Sequence, residues 1–367
     1  MLFHPFEIAF CGYSGSGKTT LIAAVTRHLS EKYSIACYKH GCHRFDIDRE
    51  GKDSWIMGNA GAGTVMISDP EKKAVITRQA GIGNLLERQA FSGYDILFVE
   101  GLKELPLPKL LLVDEERRIL DLLRDGKISN VCALVTKDDP ADCKGFTVPV
   151  FQRDNVGEIA SFVETTLLNR ARDNSPVYGL VLAGGLSSRM GFDKALIRYH
   201  EENQLKHTAS ILQRHCARVF ISCKEGQSGT YGRFGIPMIT DRYLGIGPMG
   251  GLLSAQQAEP DAAWLIAACD LPFLDESALN QLILQRNPLR FATAFRNPSS
   301  DRFEPLLACY EPKSRPRLLL RHGEGNNSLS DFLEHSRIEE LAPCNAVVLK
   351  NINTPEENGS VRLRKNN

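Results

Sequence analysis

Gly12-Tyr-Ser-Gly15-Ser-Gly17-Lys18-Thr19 follows an apolar run, Glu7–Cys11, and precedes Leu21, Ile22, Val25 and Leu29 at helical spacing. The pattern G-x-x-x-x-G-K-[ST] curls backbone N–H groups around a β-phosphate at a helix N-terminus. Gly12, Gly15 and Gly17 permit the curl, Lys18 bridges β and γ oxygens, and Thr19 ligates Mg2+. Asp95-Ile-Leu-Phe-Val-Glu100-Gly101 ends another apolar strand on an acid. Glu100, at the carboxyl end where ligands collect in open α/β sheets, is expected to position metal or water; a solvated acid at a strand terminus is the other reading. Thr136-Lys137-Asp138-Asp139 also follows a strand and matches [N/T]-K-x-D, in which an Asp reads guanine N1–H and N2–H2; an ordinary acidic turn is the other reading. His40, Cys42 and His43 have ligand chemistry but no standard metal spacing, so a solvated or substrate-facing loop is expected there.

Leu182-Ala183-Gly184-Gly185-Leu-Ser187-Ser188-Arg189-Met190-Gly191-Phe-Asp193-Lys194 is a second phosphate loop, without a Walker lysine. Gly184 and Gly185 let the main chain approach a triphosphate, and Arg189 can fork onto phosphate oxygens. Lys194 can neutralise the α-phosphoryl group as pyrophosphate departs. Asp270, after the run ending Ala267-Ala-Cys269, is either a helix cap or the Mg2+ ligand of nucleotidyl transfer. The expected catalytic residues are therefore Arg189, Lys194 and Asp270, with Asp270 and Thr19 as metal ligands. A third glycine loop, Gly245-Ile-Gly247-Pro248-Met-Gly250-Gly251, is preceded by Asp241 and would bring backbone amides against a purine edge. Asn351-Ile-Asn353-Thr354-Pro355 offers amide oxygens to metal or phosphates, or is a turn before a helix.

These groups need elements to hold them. Strands are expected at Glu7–Cys11, Ile35–Lys39, Ile96–Val99 and Val131–Thr136, with Thr64–Ser68 and Ala74–Thr77 as an inserted hairpin. A helical stripe at Ile159, Phe162, Val163 and Leu167 runs into the polar stretch Asn169 to Pro176, the best boundary in the chain. Strands are then expected at Val177–Leu182, Val219–Ser222, Ala263–Ala268, Phe291–Ala294, Pro305–Tyr310 and Ala346–Leu349. Short β-branched runs alternating with amphipathic stretches make the fold class α/β in both halves. The division is a P-loop domain over 1–170, a linker at 171–176 and a nucleotidyltransferase domain over 177–360, with a frayed end from Val361.

Composition agrees. A chain of 367 residues exceeds one ordinary core, and 43% apolar with 24% charged residues excludes a disordered tail, a collagen repeat or a coiled-coil rod. Forty-four basic and 44 acidic residues cancel, so no global field gathers the chain onto nucleic acid or an anionic membrane. Small-molecule ligands are expected. Ten cysteines without a C-x-x-C pair, and no apolar run near the ~18 residues of a membrane span, point to the cytoplasm.

The P-loop, Lys39-His-x-x-His-x-Phe-Asp-Ile-Asp-x-x-Gly-Lys-Asp-Ser54, Ala60-Gly61-Ala62 and Val99-Glu-Gly-x-Lys103 together resemble the molybdopterin-guanine dinucleotide biosynthesis adaptor family, MobB, over roughly residues 5 to 170. The resemblance implies a GTP-binding P-loop NTPase fold with weak hydrolysis that assists a guanylyltransferase. From 177 to 357 the chain resembles molybdenum cofactor guanylyltransferase, MobA. The residues that carry this are L-A-G-G-x-S-S-R-M-G-x-D-K, Asp241 with G-P-M-G-G, C-D-L-P-F at Asp270, E-P-L at Glu304, S-L-S-D-F-L and N-I-N-T-P-E. The implied fold is Rossmann-like, with Leu182, Ala183, Gly184, Gly185, Lys194, Asp241 and Asp270 binding GTP and Asp270 holding Mg2+. The implied reaction moves GMP from GTP onto Mo-molybdopterin with release of pyrophosphate. Implied partners are molybdoenzyme apoproteins and other cofactor-biosynthesis proteins. Where many members carry an asparagine, this chain reads Ser222-Cys223-Lys224-Glu225, which keeps a relative using CTP or acting on a sugar phosphate as the alternative.

Overall fold

A computed structural model describes residues 2–41, 48–77, 84–143, 145–183, 194–197 and 202–351. The chain divides into two compact units, Met1–Thr165 and Thr166–Asn367. The first contains β1 (Glu7–Cys11), β2 (Ile35–Lys39), β3 (Thr64–Ser68), β4 (Lys73–Thr77), β5 (Ile96–Glu100), β6 (Lys109–Leu112), β7 (Val131–Thr136) and β8 (Val150–Gln152). Its helices are α1 (Lys18–Leu29), α2 (Asp53–Asn59), α3 (Leu85–Phe91), α4 (Arg118–Arg124) and the start of α5 (Val156–Asn174). Six strands form a sheet in the order β2-β5-β1-β6-β7-β8, and each neighbouring pair is parallel. β3 and β4 make the expected separate hairpin. Because both faces of a parallel sheet are covered, its central strands read as unbroken apolar runs, and β1 is buried at every position. Leu21, Ile22, Val25 and Leu29 form the buried stripe of α1.

The second unit holds β9 (Val177–Leu182), β10 (Arg218–Cys223), β11 (Met238–Thr240), β12 (Ala263–Ala268), β13 (Ala292–Asn297), β14 (Arg302–Tyr310) and β15 (Glu339–Leu341). With them are α6 (Gln204–Gln213), α7 (Ser228–Gly232), α8 (Pro248–Ala258), α9 (Glu276–Leu284), α10 (Ser314–Gly323) and α11 (Leu329–Glu334). The sheet order is β11-β10-β9-β12-β14-β13-β15. β9, β10, β11 and β12 are mutually parallel, so their carboxyl ends share one edge, whereas β14 runs antiparallel to β12 and β13.

Three local expectations change. Ala346–Leu349 is a 3-10 turn and not a strand, because the Asn345 side chain accepts from Val347 N–H at 3.1 Å and caps a helical start. β13 and β14 begin and end differently from the apolar runs, since their hairpin extends through polar residues paired as Asn297 with Arg302. The polar stretch read as a linker is helical through Asn174, leaving only Ser175 and Pro176 before β9. No helix among the described residues is long and apolar enough to cross a membrane.

A buried ion pair organises this part of the second unit. Arg286 donates through Nε and Nη2 to the two Glu311 oxygens, each at 2.7 Å, and through Nη1 to Ser175 O at 3.0 Å. Fork-to-fork geometry of this kind is the strong form of the interaction, yet removing one partner strands a buried charge. Glu311→Ala is expected to lower the stability of the second unit by about 3–5 kcal/mol. Urea unfolding followed by Trp264 fluorescence in a Trp55→Phe background checks this, and an unchanged midpoint contradicts it.

Candidate functional site

The first candidate site begins where β1 ends. A Cβ on Gly12 would lie 2.9 Å from Leu112 O and 2.6 Å from Ser16 Oγ, so only glycine lets the loop pass β6. Gly17, with φ of 88°, turns the chain into α1 in a conformation that favours glycine. Among the described residues α1 has no side-chain N-cap and no acid in its first turn, which leaves its N–H groups to an anion. Lys18 Nζ donates to Gly12 O at 3.1 Å and to Tyr13 O at 2.8 Å, so the ammonium spans its own loop with a third donor to give.

Thr19 Oγ1 lies 3.0 and 2.9 Å from the two Glu100 oxygens, and Lys39 Nζ is 3.3 Å from Glu100 Oε1. The two residues singled out for a metal from separate motifs thus meet, and a hydroxyl beside a carboxylate is an oxygen set that suits Mg2+. Beneath them Cys11 Sγ donates to Gly101 O at 3.0 Å, and burial pushes its thiol up to about 11.

Arg153 carried no motif signal. It follows β8, donates its N–H to Thr136 O at 2.7 Å, and packs its side chain over the loop; a Cβ on Gly17 would meet Nη1 at 2.9 Å. Its nearest acid, Asp154, is 3.7 Å away and strongly exposed. Lys103 and Arg118 also face the Tyr13 ring, at 5.0 and 4.5 Å from its centroid. Arg153 thus lies against the residue that enters α1, whose N-terminus carries positive dipole charge, while Lys103 and Arg118 meet the loop's tyrosine, Arg118 also pairing with Asp114 and Glu116. At the [N/T]-K-x-D match, Asp139 Oδ1 accepts from Ala141 N–H at 2.8 Å, the local work of an acidic turn. His40 donates its N–H to Glu100 O at 3.3 Å; Cys42 and His43 lie outside the described residues.

The second candidate site lies at the shared carboxyl edge of β9, β10 and β12. Leu182 pairs in register with Ser222 on one side and Ala268 on the other, and Ala183 N–H donates to Ser222 O at 3.3 Å. Tyr231 OH donates to Ala183 O at 3.1 Å. Gly184, Gly185 and Arg189 lie outside the described residues, as does Asn353; of Lys194 only the backbone, opening a 3-10 turn at Lys194–Leu196, is described. Asn351 Oδ1, two residues before Asn353, is buried with no hydrogen bond among the described residues.

Asp241 donates its N–H to Cys223 O at 2.9 Å and accepts at Oδ1 from Ser222 Oγ at 2.7 Å. Burial raises its carboxyl above the ordinary range, with the Ser222 bond and the charge of Lys224 pulling the other way. The third glycine loop then feeds α8, where Pro248 takes the first helical position. Asp270 follows β12, and the structure adds a neighbour to it. Glu304 on β14 is pushed up to about 6, chiefly by burial and further by the Asp270 charge, although Leu306 N–H at 3.0 Å favours its ionised form. Two carboxylates that feel one another are suited to sharing a hard cation. No group of three or more His, Cys, Asp or Glu forms a complete metal cage among the described residues. That donor set fits Mg2+ completed by substrate phosphates.

Residues 7–137 match the family model described as molybdopterin guanine dinucleotide synthesis protein B, and residues 179–341 match the MobA-like NTP transferase domain. A molybdenum cofactor biosynthesis bifunctional protein of Synechocystis sp. is 33% identical over 187 residues, 51% of this chain and 54% of that one. The match thus spans about half of that relative's length. A molybdopterin-guanine dinucleotide biosynthesis adapter protein of Haemophilus influenzae is 35% identical over 113 residues, 30% of this chain and 64% of that one. A molybdenum cofactor guanylyltransferase of Shewanella baltica is 28% identical over 193 residues, 50% of this chain and 94% of that one. The two loops thus belong to two modules in series, and the chain joins a MobB domain to a MobA-like NTP transferase domain.

Proposed function

We propose that the second unit transfers GMP from GTP to the terminal phosphate of Mo-molybdopterin, forming the guanine dinucleotide and pyrophosphate, while the first unit binds and slowly hydrolyses GTP as an accessory. The observation that carries this reading is the Asp270 carboxylate at the carboxyl edge of β12, beside the strand that enters the Leu182 loop and within electrostatic reach of Glu304. The guanylyltransferase and adapter names of the relatives support the same division.

The chemistry asks little proton transfer of the protein. A phosphate monoester has a second pKa near 6, so the acceptor is already an anion at neutral pH. An acceptor oxygen forms a bond to the α-phosphorus of GTP. The α–β bridging bond breaks in line, and pyrophosphate leaves with the electron pair. Positioning and charge cancellation are what remain, and Arg189 and Lys194 are assigned to the phosphate oxygens. Asp270, with Glu304 beside it, would hold Mg2+ in the transferase, and Thr19 with Glu100 would hold it in the first unit. Bound there, Mg2+ supplies charge neutralisation between the two polyanions. Molybdoenzyme apoproteins are the proposed recipients of the product. The free thiols of Cys11, Cys37, Cys143, Cys216, Cys223, Cys309 and Cys344 support a reducing cytoplasm.

Asp270→Ala is expected to reduce pyrophosphate release by at least about a hundredfold, as removal of a preorganised stabiliser of developing charge does. The measurement is full-length turnover with GTP and molybdopterin, with circular dichroism to verify folding; near-normal turnover refutes the assignment. Running the same assay with CTP, ATP and UTP tests the nucleotide, and faster release from CTP would favour the alternative reading. Lys18→Ala is expected to remove one of two equivalents of a non-hydrolysable GTP analogue bound per chain and to leave transfer intact. Loss of transfer in that variant would contradict the division of labour.

A further inference from the structure

Ser222 is the penultimate residue of β10, and three segments assigned to the nucleotide converge on it. Its carbonyl receives the Ala183 N–H at 3.3 Å, which anchors the entry to the second phosphate loop. Its hydroxyl donates to Asp241 Oδ1 at 2.7 Å. On its far side α8 comes so close that a Cβ on Gly251 would stand 2.4 Å from Ser222 Oγ. The direction of the side-chain bond follows from chemistry, because an ionised carboxylate only accepts and the hydroxyl has one proton to give. This bond ties one carboxylate oxygen of Asp241 to the end of β10.

We propose that Ser222 is a positioning residue of the transferase site, holding the Asp241 carboxylate so that it accepts a hydrogen bond from the nucleotide, either a ribose hydroxyl or a guanine N–H. The inference rests on the reading of Asp241 as a GTP contact and adds the residue through which that contact is oriented. A short hydroxyl fits against Gly251 while still reaching the acid. The charged and titratable neighbours that bear on Asp241 are Lys224 and the Cys223 thiol. Burial favours the protonated carboxyl and the Ser222 bond opposes it. Deleting the hydroxyl moves the Asp241 carboxyl further up, so the contact is lost at a higher pH than in the parent.

The test uses the unmodified full chain with molybdopterin and measures pyrophosphate release from GTP between pH 5 and 9, a product that GTP hydrolysis by the first unit does not form. Ser222→Ala is expected to raise the KM for GTP about tenfold, the worth of a hydrogen bond to a charged group, with kcat within about twofold. The acid limb of kcat/KM should move to higher pH. Asp241→Asn, which keeps the shape and removes this titration, should leave only the acid limb set by the acceptor phosphate and Glu304, and carries the test if Ser222→Ala does not fold. Repeating the comparison with 2′-deoxyGTP, 3′-deoxyGTP and ITP tells a 2′-hydroxyl, a 3′-hydroxyl and the guanine N2–H2 apart, since the substrate lacking the donor loses its sensitivity to Ser222→Ala; sensitivity kept by all three assigns the donor to N1–H. An unchanged KM and unmoved limb, or a fall confined to kcat, overturns the proposal while the parent still turns over GTP. A parent that releases no pyrophosphate from any nucleoside triphosphate overturns instead the transferase reading beneath it.

Discussion

A helix must begin where a parallel strand ends, with no side chain between them, if main-chain N–H groups are to close on a phosphate. Gly12 meets that constraint by passing Leu112 O, and two further close approaches shape the start of α8: Gly250 would put a Cβ 2.2 Å from Tyr243 O, and Gly251 lies against Ser222. At Gly12 and Gly250 a methyl group would push apart backbone segments that a ligand site needs together, and at Gly251 it would displace the Ser222 side chain. The rest of both units serves these approaches: β1, β5 and β6 fix the edge on which α1 starts, and β9, β10 and β12 fix the edge met by α8.

Charge is arranged on the same plan. The chain is neutral overall, so attraction to polyanions has to be local. Around α1, Lys18, Arg153, Lys103 and Arg118 come from separate places in the chain to one loop, while Glu100 is shared by Thr19 and Lys39. In the second unit the carboxylates gather instead, with Asp270 and Glu304 affecting one another and Asp241 held by a hydroxyl. The first arrangement suits direct phosphate binding, and the second suits binding through a cation.

Much of this was legible in the sequence because it is local. The P-loop spacing, the acid ending β5 and the acid after β12 each depend on residues adjacent in the chain, and the strands that present them are long apolar runs. Thr19 and Glu100 could each be singled out because both stand at predictable strand and helix ends, though not as partners. Arg153, Glu304 beside Asp270 and the Ser222–Asp241 bond were not legible as contacts, since each depends on which strands become neighbours. The same applies to β14, whose antiparallel course no apolar pattern encodes. β6, β8, β11 and β15 are short strands, four residues at most, recruited by pairing and not by their own propensity. Ala346–Leu349 misled because four apolar residues satisfy either a strand or a capped turn, and Asn345 decided between them.

The cysteine just before the P-loop has a consequence for how the protein meets oxidants and electrophiles. With its thiol held near 11, roughly one Cys11 in ten thousand is a thiolate at pH 7. Alkylating agents and peroxides react with the anion, so the phosphate loop follows a sulfur that is chemically quiet. Redox stress would therefore meet the more exposed thiols, Cys37 in the first unit and Cys344 in the second, before it reached the residue adjoining the loop itself.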